Sequence, residues 1–118
     1  MSTIKVDTLV AADGSSAVTL TKQDASKMYC SFVQSSATNE VSLNISSLTD
    51  LGTGQTTANY TSNFSDTKHP VVGTSNWNGV FTTDTYTTSS NEIRGRNGGS
   101  TSLADRGRMQ MIGSGDLA

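Results

Sequence analysis

The feature that most constrains this chain is a set of short runs in which side chains of different character alternate one by one. In Met28–Val33, Met28, Cys30 and Phe32 fall on one side and Tyr29, Ser31 and Val33 on the other. In Val41–Ile45, Val41, Leu43 and Ile45 alternate with Ser42 and Asn44. Successive side chains of an extended chain point to opposite faces, so a period of two marks a half-buried strand. The pattern predicts that Val41, Leu43 and Ile45 all turn inward. Five further runs read as strands: Thr56–Phe64, Val71–Thr74, Val80–Thr87, Glu92–Arg96 and Arg106–Ile112. Pro70 precedes the second of these, and a strand start is where its missing N–H costs least. Asp50–Gly54, Asn97–Ser100 and Gly113–Gly115 supply turn chemistry. About seven short strands separated by turn residues predict an all-β fold, a small antiparallel β-sandwich or barrel. No stretch carries apolar residues at helical spacing.

The first residues read differently. Ile4 and Val6 alternate weakly, Asp13-Gly14 is a turn, and Val18 and Leu20 share a face. Neither half is rich enough to fold alone. Residues 1–24 are therefore expected to form an extended N-terminal arm for assembly or attachment, and residues 25–118 a compact antiparallel β domain.

The apolar supply is thin. Hydrophobic residues make up 33% of the 118, whereas there are 18 Ser and 18 Thr. Such a chain would suggest disorder if it were highly charged or rich in proline. It has a net charge of −2 and one proline, and Thr suits a pleated surface. Ordering each residue costs about 1–2 kcal/mol, so a sparse core leaves a lone chain poorly supported. Burial of apolar faces between identical subunits is the expected remedy, with a homotrimer as the assembly.

Several functions lose support at this stage. No run of about 20 apolar residues exists to span a membrane, and Met1–Val10 has no secretory apolar stretch. Mild acidity argues against nucleic acid held by bulk charge. Cys30 is the sole cysteine, so no intrachain disulfide is available, and its alternating context suits a small core residue. His69 is the sole histidine and reads as a turn residue. The aspartates are scattered singly, with no calcium-loop pattern and no paired carboxylates. No cofactor, metal or catalytic residue is expected.

Two groups remain as candidates for surface binding. Trp77 and Tyr86, with Asn76, Asn78 and Asn91, would combine aromatic faces for stacking on sugars with amides for their hydroxyls. Trp77 filling the core is the competing reading. Arg94 and Arg96, with Arg106 and Arg108, place four guanidinium forks close in sequence; three copies around an axis would hold an anion or a sugar acid. Charge that keeps an exposed strand edge from aggregating is the competing reading there.

Several segments resemble a family of small tail-fibre-like virion proteins of bacteriophages, notably those of marine bacteria. The N-terminal segment from Met1-Ser-Thr-Ile-Lys-Val-Asp-Thr-Leu9 through Asp13-Gly-Ser-Ser16 to Val18-Thr-Leu-Thr-Lys22 is similar to the family's arm. Ser42-Leu-Asn-Ile-Ser-Ser-Leu-Thr-Asp50, Gly52-Thr-Gly54 and Ala58-Asn-Tyr-Thr61 resemble its strand–turn–strand signature. Phe64-Ser-Asp66, Pro70-Val-Val-Gly73 and the ending Gly115-Asp-Leu-Ala118 continue the likeness. Met28-Tyr-Cys-Ser-Phe32 and Trp77–Arg96 depart from it. The resemblance implies a non-enzymatic structural protein of the virion, made in the host bacterial cytoplasm. It implies partners among other virion proteins and host cell-surface glycan. A capsid decoration protein is the alternative, and a polysaccharide-degrading fibre module the second alternative.

Overall fold

A computed structural model describes residues 26–118. The expected arm, residues 1–24, lies outside the described residues. Eight strands follow one another: β1 (Met28–Val33), β2 (Thr38–Leu43), β3 (Ile45–Gly52), β4 (Gln55–Tyr60), β5 (Val71–Ser75), β6 (Gly79–Tyr86), β7 (Ser90–Asn97) and β8 (Met109–Gly113). They make two antiparallel four-stranded sheets, ordered β2-β1-β8-β5 and β3-β4-β7-β6. The fold is an open sandwich, not a barrel.

The core is built by the expected alternation. Met28, Cys30 and Phe32 from β1 meet Met109 and Met111 from β8 and Val71 from β5. Ile45, Ala58, Tyr60 and Ile93 face them from the second sheet, and Phe64 comes from the β4–β5 connection. Three of these eleven core residues are methionines, whose flexible thioethers fill the irregular gap between twisted sheets.

One expectation fails. Val41–Ile45 is not a single strand. Leu43 ends β2 in the first sheet and Ile45 begins β3 in the second. Between them Asn44 takes a left-handed conformation, φ 58°, which Asn adopts more readily than most residues. Its side chain grips Ser62 in both senses, accepting from the Ser62 N–H at 2.7 Å and donating to the Ser62 carbonyl at 3.0 Å. The turn resets the alternation. Ile45 points into the core, but Val41 and Leu43 lie on the outer face of the first sheet. A later crossing between the sheets, from β5 to β6, also turns on a left-handed residue: Trp77, φ 56°.

Asp50–Gly54 also differs from a simple turn, because β3 continues to Gly52 and only Thr53-Gly54 separate it from Gln55. Gly54 has φ 70°, and a Cβ there would lie 2.6 Å from the Ala104 nitrogen. Glycine is needed for both the dihedral and the close approach.

The two ends of the sandwich are closed differently. At the end where residue 26 leads into β1, an aromatic cluster fills the gap. The Phe64 ring stacks on His69 with centroids 4.0 Å apart and planes 5° apart. Tyr60 meets both rings edge-on, and Tyr86 meets His69. His69 Nδ1 lies 3.0 Å from the Asp66 carbonyl, which can only accept, so this nitrogen carries the hydrogen. Nε2 is then left to accept from the Tyr60 hydroxyl at 3.2 Å. His69, read as a turn residue, lies in the connection between β4 and β5 and is a buried packing residue with both nitrogens satisfied. At the opposite end the plug is polar. Gln34, buried in a single 3-10 turn after β1, accepts the Arg106 N–H through Oε1 at 3.1 Å.

Candidate functional site

We call the first end the root, since residue 26 and the C-terminal residues lie there, and the second end the tip. The strand pairings fix this polarity. Met28, Gly113 and Val71 lie level at the root, and Phe32, Met109 and Ser75 lie level towards the tip. Trp77 lies two residues beyond Ser75, the last residue of β5, and so caps the tip.

Its side chain is 89% exposed, the most exposed large hydrophobic residue among those described. A bulky residue with positive φ is a conformational outlier, and such outliers cluster where a side chain must be held in a set direction. The framework beneath it is well connected. The Gly79 N–H donates to the Asn76 carbonyl at 3.3 Å, and the Asn76 N–H donates to the Arg108 carbonyl at 3.0 Å. The Gly98 N–H donates to the Asn78 carbonyl, tying the Trp77 turn to the loop after β7. A Cβ on Gly79 would meet the Arg106 Cδ at 2.6 Å, so only glycine lets the guanidinium stem lie across the strand start. Arg106 is itself buried and donates to the Asn97 side chain. A rigid polar base thus carries a single indole outward.

The other candidates do not gather around it. Asn76 and Asn78 flank Trp77; Asn78 is exposed and Asn76 is half-buried. Tyr86 ends β6 at the root, half-buried against His69 and hydrogen-bonded to the Thr83 hydroxyl. It is separated from Trp77 by the whole length of β6. Asn91 is fully buried on the inner face of the second sheet, and neither amide atom has a hydrogen-bond partner in the protein. The arginines do not converge either. Arg94 lies between Asp84 at 2.6 Å and Glu92 at 2.9 Å. Hydrogen bonding to Glu92 comes first in raising its pKa, already far above neutral. Arg96 donates to the Thr101 carbonyl. Arg108 makes a two-pronged contact with Glu40, both distances 2.9 Å. With Arg106 on Asn97, all four guanidinium groups weighed as anion ligands are engaged within the chain, and β7 and β8 are inner strands of their sheets, not exposed edges. Among the described residues no group of three or more His, Cys, Asp or Glu could hold a metal ion, and no helix is long and apolar enough to cross a membrane.

A second surface was not legible as such in the sequence. On the outer face of the first sheet, Leu43, Tyr29, Ile112 and Val72 are consecutive cross-strand partners. They form one apolar row across all four strands, each 39–63% exposed. The next row towards the tip is Val41, Ser31, Gln110 and Thr74. All of these residues but Leu43 line a broad hollow of about 450 Å³. The signal was present as Val41/Leu43 and as Tyr29, Val72 and Ile112, but alternation alone does not say which face of a strand meets water.

No known protein family, characterised protein or solved structure matches this chain.

Proposed function

We propose that this protein is a non-enzymatic surface module of a bacteriophage particle, a homotrimeric tail-fibre-like unit that is held at its root and contacts host cell-surface glycan at its tip. The observation that carries the reading is the polarity of the sandwich. Residue 26 lies at one end, and a single outward indole on a strained turn lies at the other. A module that bridges particle and host needs that separation of attachment from contact. The flat face of an indole stacks on the C–H face of a sugar ring, and the exposed Asn78 amide beside it offers donors and an acceptor for hydroxyls. The resemblance of the arm, the Ser42–Thr61 region and the C-terminus to phage fibre proteins supports the same reading.

Trp77 is the only tryptophan, so its fluorescence reports the tip alone. Titration of the full chain with extracted host surface polysaccharide should shift and enhance that emission. Trp77→Ala should reduce adsorption to host cells about tenfold or more, as for a buried aromatic anchor, with no loss of thermal stability. Unchanged adsorption by Trp77→Ala would overturn the reading.

A further inference from the structure

We infer that the outer face of the β2-β1-β8-β5 sheet is where copies of this chain pack on one another, with their strands parallel and their tips pointing the same way. The inference rests on the reading above, because a module with one attached end and one contacting end assembles only if all copies share a direction.

The face itself argues for a second copy as its occupant. Four large apolar side chains in one unbroken row are unusual on the solvent side of a sheet, where polar residues normally alternate with core ones. The other outer face of this same sandwich lacks such a row. The thin core gives the physical need, and this row is the apolar surface left over to meet it.

Orientation follows from how the face changes along the strands. Its root level is the apolar row Leu43–Tyr29–Ile112–Val72. Its middle level is small or uncharged. Towards the tip, Glu40 bulges from β2, accepts from the Ser31 hydroxyl at 3.0 Å and pairs with Arg108. In a parallel assembly each level meets its own kind: apolar row on apolar row, ion pair beside ion pair. In an antiparallel one the apolar row would cover the Glu40–Arg108 pair and strip its water without new partners, which is costly for charges. Parallel packing about an axis along the strands also fixes who meets whom. Tyr29 and Ile112, on the central strands, face the axis. Leu43 on the edge strand β2 of one copy meets Val72 on the edge strand β5 of the next.

The face measures about 19 by 17 Å from strand spacing and rise. That is small beside the roughly 800 Å² per partner of a standard interface, so association through it is concentration-dependent.

The test uses the full chain with Leu43→Cys and Val72→Cys combined. Cys30 is buried in the core and remains as a silent background thiol. Mild oxidation should join neighbouring copies into a closed covalent oligomer, with a ladder ending at three, whereas either single variant should not pass a dimer. Ile112→Asp, at an exposed position, should give a folded monomer at concentrations where the parent is assembled. A parent that stays monomeric at about 100 µM, well above the expected dissociation range, overturns the inference. So does an assembly that survives Ile112→Asp and forms no Leu43–Val72 cross-link. If either occurs while Trp77→Ala still abolishes adsorption, the interface falls and the surface-module reading stands. If the cross-links form but adsorption ignores Trp77, the reverse holds.

Discussion

The two outer faces of the sandwich are made from the same strand geometry and teach opposite lessons. On the second sheet, Thr57 pairs across to Glu92, and Gln55 to Arg94 and on to Thr82. Asn59 donates to the hydroxyls of Ser47 and Thr49, both at 3.0 Å. Arg94 is held by two carboxylates. Every level there offers water a hydroxyl, an amide or a charge. On the first sheet the level nearest the root is Leu43, Tyr29, Ile112 and Val72, with the Tyr29 hydroxyl its single polar side-chain group. A chain poor in apolar residues has nonetheless placed four of them where they contribute little to its own core. Side chains that stay exposed in the lone subunit contribute stability only when something covers them.

The sharpest way to test that contrast is one substitution made on both sides of the core wall. Ile93 is fully buried, and Ile112 is 45% exposed. Ile93→Ala should lower the unfolding free energy by about 3 kcal/mol through lost burial and a new cavity. Ile112→Ala should change the stability of the monomer by no more than about 0.5 kcal/mol, while weakening assembly. Chemical denaturation below and above the association range separates the two. Equal losses in dilute protein would mean that Ile112 already packs within its own subunit.

Cys30 asks whether the first sheet stays closed when its outer face is bare. Burial pushes the thiol up to about 11, and its Sγ lies 3.6 Å from the Asn39 amide oxygen. At pH 8 a thiol with that pKa carries about a hundredfold less thiolate than one near 9, since each pH unit is tenfold. Alkylation of the native chain should be slower than that of the denatured chain by at least this factor. Because the folded pKa is raised, the native state also loses stability as pH climbs from about 9 towards 11. Fast labelling of dilute native protein would show that the unpartnered sheet opens.

The smallest effect is expected where the two faces are most alike, at the ion pairs. Hydrogen bonds from Arg108, and then from Ser31, hold the Glu40 carboxyl below the usual carboxylate range. With a lowered folded pKa, the stabilisation is complete above the ordinary value and fades as pH falls through the lowered one. A carbon NMR titration of Glu40 should therefore give a midpoint below that of a free glutamate. Arg108→Ala should raise it towards the ordinary value, the Ser31 hydrogen bond remaining, while leaving a fully folded chain. A Glu40 midpoint that ignores Arg108 would remove the charged level from the first face.

Much of this was legible from alternation. β1 came through with its three inward residues intact, because Met28, Cys30 and Phe32 obey the period without interruption. The strands expected over Val71–Thr74 and Arg106–Ile112 are found as Val71–Ser75 and Met109–Gly113, the second starting three residues later than expected. What alternation could not supply was phase across a corner. Asn44 inverts the facing of everything after it, and nothing in the spacing of Val41, Leu43 and Ile45 announces the inversion. The burial of His69 was not legible, because it depends on Tyr60 from β4 and Phe64 from the same connection packing around the ring. For the candidate site, Trp77 was found by residue type, but its exposure depends on a dihedral, and Tyr86 and Asn91 were separated from it by strand length and strand face. The arginines grouped in sequence because β7 and β8 lie near one another in the chain. Their side chains nevertheless reach different partners: Glu92 and Asp84, the Thr101 carbonyl, Asn97, and Glu40.

The crossings at Asn44 and Trp77 stitch the two sheets together at opposite ends, the first at the root and the second at the tip. A pull applied between root and tip therefore runs along the strands, while the ladder hydrogen bonds of antiparallel sheets lie across them. Such a load is shared by all the rungs of a sheet at once, instead of opening them one after another like a zip. On the function proposed above, a load between particle and host would act in that same direction, in shear across the ladders.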